Sequence, residues 1–182
     1  ILPAATLRPE TILGVTNMWL NPKVEYVKAQ VDDQKWIISK ESAEKLRYLN
    51  RKVVVQKTFR GSDLIGKRVE NPATQKEVLI FPADFVDPKN ATGVVMSVPG
   101  HAPYDYVALE SLTKSSTQLR EHGLKPDIVA AVKPVSIISV AEYSDIPAGD
   151  VTKQMGIKSQ LDPKLEDATK EVYRHEFHNG TM

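Results

Sequence analysis

The chain reads as a β-barrel-like core with peripheral α-helices, mainly β or α+β in class. Three observations carry that reading. The apolar segments are short and many alternate as strands do, Gly, Pro and Asn punctuate them, and strand segments outnumber helical ones. No internal repeat or long linker interrupts residues 1–182, so a single domain is expected.

Residues 11–39 open the strand pattern. "TILGVTNMWL" supplies Ile12, Val15, Met18 and Trp19, and "VEYVKAQV" supplies Val24, Tyr26 and Val31. Asn21-Pro22 marks a turn between them, and Asp32-Asp33-Gln34 closes a hairpin onto "KWIIS" at 35–39. Ser39 is a suitable N-cap for the helix "KESAEKLRYL", whose Ala43, Leu46 and Leu49 share a face. "VVVQKTF" (53–59) is a strand, Gly61 and Gly66 flank a further short one, and another covers 77–81. "GVVMSV" (93–98) is a continuous apolar run, expected as a strand buried on both faces.

Helix signals begin after Asp105. Ala108, Leu112 and Leu119 are spaced for one face, "TKSSTQ" is poor helix material that breaks it, and Gly123 is the stop. "IVAAV" (128–132) and "VSIISV" (135–140) read as two more strands. Pro147 opens a short helix that Gly156 ends. The best helix is the last. Asp162 caps it, Pro163 takes the first position, Leu165, Ala168, Val172 and Tyr173 form its apolar stripe, and Asn179-Gly180 ends it.

Composition excludes several function classes. A chain of 182 residues can bury a core without covalent staples. Having no cysteine, it has no disulfide, zinc-thiolate site or thiol nucleophile, which fits a cytoplasmic location. A net charge of +1 is not the footprint of a protein that wraps long duplexes, though it leaves room for contact with a nucleic-acid end. No run reaches the ~18 apolar residues of a membrane span, and no membrane partner is expected. The start "ILPAATL" carries neither an initiator Met nor a signal-peptide pattern, and the chain reads as a piece joined to a longer polypeptide through both ends. The N-x-T triplets at Asn90 and Asn179 are read as chance matches.

The usual catalytic signatures are missing. His175, Glu176 and His178 read as a wet helix end and not as a ligand set, so no metal site is expected. Ser97 in "MSVPG" sits in an apolar strand and not in a nucleophile elbow. Neither a P-loop nor a G-x-G-x-x-G is present. What remains is the pair "TLRPET" (6–11) and "TGVVMSVPGHAPYD" (92–105). Read plainly, these are an N-terminal turn and a buried strand running into a turn. Read functionally, Pro and Gly hold backbone out of the ladders, which leaves N–H and C=O groups for a ligand beside small hydroxyls and the carboxylate of Asp105.

"TLRPETILGVTNMWLNP" together with "FVDPKNATGVVMSVPGHAPYDYVAL" resembles the editing domain, or connective polypeptide 1, inserted into leucyl-tRNA synthetases of archaeal and eukaryotic type. "VTKQMGIKSQLDPKLEDATKEVYRHEFHNGTM" is similar to the archaeal form, so the resemblance spans essentially the whole chain. It implies the editing-domain fold shared with the isoleucyl and valyl synthetases. It also implies hydrolysis of the ester between a non-cognate amino acid, such as isoleucine or norvaline, and the 3′ acceptor end of tRNA(Leu). The partners implied are that tRNA and the rest of a synthetase, in a monomer. No cofactor belongs to the domain itself; the parent enzyme would use ATP and Mg in its synthetic domain. Two alternatives stay open: an isoleucyl or valyl editing domain, and a module that binds the tRNA 3′ end without chemistry.

The resemblance also implies roles residue by residue. Asp105 anchors the substrate's α-ammonium and, with Thr6, forms the catalytic pair. Thr11 excludes leucine as a stiff β-branched wall. Met96 and Val98, with Ser97 between them, line the side-chain pocket, while Thr6, Leu7 and Arg8 lie by the ribose and the scissile carbonyl. Leu7 stands where bacterial forms carry Thr, so backbone groups must serve there, and Ala102 replaces the acidic residue that follows the motif's His in those forms. His101 either binds phosphate or ribose or closes the turn, and the Pro99-Gly100 turn is expected to present backbone to a ribose. Hydrolysis would then rest on a placed water and not on a nucleophile.

Overall fold

The computed structural model describes residues 1–182, which divide into two compact units. The first comprises Ile1–Leu7, Met18–Glu70 and Glu77–Met96; the second comprises Arg8–Asn17, Asn71–Lys76 and Ser97–Met182. The strands are β1 (Asn17–Leu20), β2 (Glu25–Val31), β3 (Gln34–Ser39), β4 (Val53–Arg60), β5 (Arg68–Asn71), β6 (Lys76–Pro82) and β7 (Val95–Ser97). They form a four-stranded sheet of order β5-β6-β1-β7 and a three-stranded sheet of order β3-β2-β4. The expected combination of sheet and helix holds, but the strands are shared between two sheets and close no barrel.

In the first unit, β2 and β3 form the expected hairpin, paired antiparallel from Tyr26↔Ser39 to Val31↔Gln34. Asp32 at its turn takes positive φ, a conformation Asp tolerates better than most residues. β4 pairs with the other edge of β2, with a register break between Lys28 and Ala29. Val27, Ala29, Val31 and Ile38 bury one face of this sheet together with Ala43 of α1 (Lys40–Tyr48). Ser39 caps α1 as expected, its hydroxyl accepting the Ser42 N–H at 3.1 Å. Leu49, expected on the apolar face, is exposed, because the helix ends at Tyr48. Trp19 on β1 is fully buried and meets Phe81 and Phe85 at 6.0 Å between ring centroids.

The second unit is helical: α2 (Pro103–Lys114), α3 (Ser116–Glu121), α4 (Pro126–Ala130), α5 (Pro147–Gln154) and α6 (Lys164–Asn179). Its core joins Val107 of α2 and Val151 of α5 to Ile157 and to Leu165, Ala168 and Val172 on the α6 stripe. The break in "TKSSTQ" falls at Ser115, whose hydroxyl accepts the Gln118 N–H and caps α3. Asp162 Oδ1 accepts the Lys164 N–H at 2.9 Å and Pro163 has helical dihedrals, but α6 runs from Lys164 with Pro163 in the cap position, one residue after the start its sequence signals give. No helix is long and apolar enough to cross a membrane.

Five strand expectations fail or narrow for identifiable reasons. Residues Pro9–Gly14 form a 3-10 helix, because Pro9 starts it and the Thr11 N–H and hydroxyl both bond the Arg8 carbonyl; the strand is confined to β1. Gly61–Leu64 is also 3-10, with Asp63 accepting the Arg60 N–H. The run at 93–98 narrows to β7, since Gly93 turns at φ +69°. "IVAAV" falls in and just after α4, where Pro126 sits at the helix start with Asp127 in its first turn. "VSIISV" builds no strand ladder. The Ile137 N–H goes to the His101 ring, and Ser139 makes an isolated bridge with Thr181.

Candidate functional site

Ten residues of the first motif region and the whole second motif from Ser97 onward lie in the second unit, and backbone joins them directly. The Thr16 N–H donates to the Ser97 carbonyl at 3.0 Å. Beyond Ser97 the chain turns tightly: the Val98 carbonyl accepts the N–H groups of His101 (3.0 Å) and Ala102 (2.9 Å). Val98 donates its own N–H to Asp105 Oδ2 at 2.7 Å. Asp105 is therefore the third residue of α2, not a residue ahead of it, and reaches back over the turn it follows. A carboxylate in the first turn is favoured by the unpaired N–H groups there. Asp105 is buried, at 5 % exposure.

Gly100 is fixed by close packing. A Cβ there would lie 2.3 Å from the Val135 carbonyl oxygen, and the Gly100 carbonyl accepts the Ala148 N–H at 3.2 Å. The turn is buried, so the expectation that Pro99-Gly100 presents backbone to a ribose is corrected. Gly100→Ala is expected to cost roughly 2–3 kcal/mol through overpacking. That corresponds to a fall in Tm of roughly 4–12 °C for a chain of this size. Thermal unfolding of this variant beside wild type checks it, and an unchanged Tm would contradict the packing argument.

His101 is buried at 1 % exposure, and both ring nitrogens are committed. The Ile137 N–H donates to Nε2 at 2.9 Å, so that nitrogen carries the lone pair, and Nδ1 meets Glu176 Oε1 at 2.6 Å. Of the two roles left open for His101, this geometry supports closing the turn. The other Glu176 oxygen lies 2.7 Å from Arg8 Nη2. Arg8 also pairs with Glu10 at 3.0 Å and stacks over the Tyr173 ring, 4.4 Å from its centroid. Burial works against the charge on Arg8, but Glu176 and Glu10 outweigh it and hold its pKa above the ordinary value. Burial first, then the negative charge of Asp105, raises the Tyr173 phenol above its ordinary range against the opposing Arg8 cation.

Thr11, Ser97 and Val98 are buried in the same unit. The Thr11 hydroxyl donates to the Arg8 carbonyl at 2.7 Å. The Ser97 hydroxyl is fully buried with no hydrogen-bond partner, so nothing activates it as a nucleophile. Thr6, Leu7 and Met96 belong to the first unit; Thr6 and Leu7 are exposed and Met96 is half-buried. A groove of about 390 Å³ runs along α2 and α5 past Tyr106, Glu110, Lys114 and Lys153, and none of the predicted site residues lines it.

The wet-end reading of 175–178 is wrong for its middle member. Glu176 is buried at 5 % exposure, whereas His175 pairs with Glu171 at 3.0 Å and His178 is exposed. The signal was present: Leu165, Ala168, Val172 and Glu176 are spaced three, four and four residues apart, which continues the buried stripe.

A crystal structure of GlLeuRS-CP1 superposes with a TM-score of 0.88 at 25% identity, covering all of this chain and 71% of that one. The P. knowlesi cytosolic leucyl-tRNA synthetase editing domain shares the fold with a TM-score of 0.88 at 22% identity, covering all of this chain and 73% of that one. The model of the family "Leucyl-tRNA synthetase, editing domain" matches residues 2–122, and the chain belongs to that family. It is 54% identical to the leucine–tRNA ligase of Pyrococcus furiosus over 98% of its length and 48% identical to that of Methanothrix thermoacetophila over all of it. It spans about a fifth of the length of these relatives, 19% of each.

Proposed function

We propose that this chain hydrolyses the ester of mischarged aminoacyl-tRNA(Leu), as one editing domain of a cytoplasmic leucine–tRNA ligase. The observation that supports this best is the arrangement of Asp105. It is an acidic group at the start of α2, held over the Val98 turn, in a chain whose first 122 residues are matched almost entirely by the leucyl editing family. A carboxylate there suits the α-ammonium that every aminoacyl ester carries, so it binds without discriminating. Discrimination then falls to the side-chain pocket, where Thr11, Met96 and Val98 are the proposed lining.

In this reading water adds to the ester carbonyl and the ester C–O bond breaks. The amino acid leaves as its carboxylic acid, and the ribose oxygen takes the proton. His101 is not the base, because both its nitrogens are occupied. Thr6 and the backbone of Leu7 and Arg8 are proposed to orient the ester, and placement of the water supplies the acceleration. The domain itself requires no metal or cofactor for this step.

Deacylation assays with the full-length ligase decide among the substrates. Isoleucyl- and norvalyl-tRNA(Leu) are expected to be hydrolysed, and valyl-tRNA(Ile) and threonyl-tRNA(Val) spared. Turnover of the latter pair alone would reassign the domain, and binding without turnover of any of them would make it a tRNA-end binding module.

A further inference from the structure

We propose that Glu176 is a positioning residue for editing, one that locks the two motif segments into a single geometry from α6. The proposal rests on the deacylase reading above. Three observations converge on it. The Glu176 side chain is fully buried, on the stripe that otherwise carries Leu165, Ala168 and Val172. One carboxylate grips both motifs, with Oε2 at 2.7 Å from Arg8 Nη2 and Oε1 at 2.6 Å from His101 Nδ1. It also lies outside residues 2–122, the part that the family model matches.

A carboxylate is a poor choice for stability at this position. Burying it costs solvation, and an apolar side chain of similar volume is often as stable or more so. Glu176 also lies in the last turn of α6, where the exposed carbonyl ends disfavour a negative charge. Its two partners explain its presence. Arg8 is the residue whose carbonyl takes both the N–H and the hydroxyl of Thr11, so fixing Arg8 fixes the backbone that carries Thr11. His101 closes the turn whose Val98 N–H is held by Asp105, and its other nitrogen takes the Ile137 N–H. The specificity wall is thus one residue removed from Glu176, through Arg8, and the ammonium anchor two, through His101 and Val98.

The test uses E176Q in the full-length ligase. Gln keeps the volume, but its NH₂ faces a donor on one of the two sides, so one grip is lost. Deacylation of isoleucyl-tRNA(Leu) is expected to fall roughly 10- to 100-fold in kcat. KM should change by less than about 3-fold, as for loss of an interaction felt mainly in the transition state. Leucylation of tRNA(Leu) should be unchanged, which certifies the folded enzyme. In the ¹⁵N-histidine-labelled 182-residue chain, the deshielded Nδ1 proton of His101 should move upfield in E176Q, a signature that a purely structural role for the helix would leave alone. E176D, which keeps the charge and shortens the reach, is the second variant and should lose deacylation to a lesser degree. Wild-type-like deacylation by either folded variant, within about 2-fold, overturns the proposal while the deacylase reading stands. A wild-type enzyme that fails to hydrolyse any mischarged tRNA(Leu) overturns both.

Discussion

Asp105→Ala should abolish hydrolysis of isoleucyl- and norvalyl-tRNA(Leu) while leaving the synthetic reaction of the full-length ligase intact. The substrate's ammonium would lose its only proposed charged partner, and breaking a buried, hydrogen-bonded charge pair typically costs about 2–5 kcal/mol. On kcat/KM that is a loss of roughly 30- to 5,000-fold. Asp105 also has a structural duty, since its Oδ2 accepts the Val98 N–H at 2.7 Å. The Ala variant therefore leaves a buried donor unmade, a separate cost of about 1–3 kcal/mol in stability. Asp105→Asn separates the two effects. Its amide oxygen still accepts the Val98 N–H but offers no charge to the ammonium, so it should lose most of the deacylation with a smaller fall in Tm than the Ala variant. Single-turnover deacylation together with thermal unfolding makes the measurement. Near-normal hydrolysis by a well-folded Asn variant would remove Asp105 from the site.

The same residue shows how much of the molecule was legible in the sequence. Asp105 and its turn were found because Pro and Gly mark local backbone, and the bond from Asp105 back to Val98 spans only seven residues. The α6 boundaries and the β2–β3 hairpin were legible for the same reason: caps, turns and short-range periodicity are local signals. The failures are non-local. "VSIISV" alternates as a strand does, yet its Ile137 N–H is claimed by His101, 36 residues earlier. "IVAAV" is too short for its periodicity to separate helix from strand, and Pro126 ahead of it was the better guide. Glu176 was hidden by chemistry as much as by distance. Its partners lie 75 residues away at His101 and near the N-terminus at Arg8, and charged residues at a helix end usually face water.

Thr11→Ala should convert the protected product into a substrate, with leucyl-tRNA(Leu) hydrolysed at least ~10-fold faster than by wild type. Thr11 is buried at 4 % exposure, its N–H and hydroxyl both bond the Arg8 carbonyl, and a β-branched residue has few χ1 choices. The hydroxyl is thereby committed to the 3-10 turn, which leaves the γ-methyl as the group able to oppose a substrate side chain. Hydrophobic pockets separate substrates differing by a methylene by about 1–3 kcal/mol, or ~10- to 200-fold, so the gain on leucyl-tRNA should fall in that range. Thr11→Val is the control: it keeps the branched shape, gives up one hydrogen bond of about 1 kcal/mol, and should go on sparing leucyl-tRNA. Thr11→Tyr fills the pocket and should stop hydrolysis of every aminoacyl-tRNA, cognate or not. Leucyl-tRNA that stays protected in the Ala variant would show that Thr11 is not the wall. Leucyl-tRNA hydrolysed by the Val variant as fast as by the Ala variant would move the selectivity from the methyl to the hydroxyl. That would make the bond to the Arg8 carbonyl, and through Arg8 the grip of Glu176, the origin of leucine exclusion.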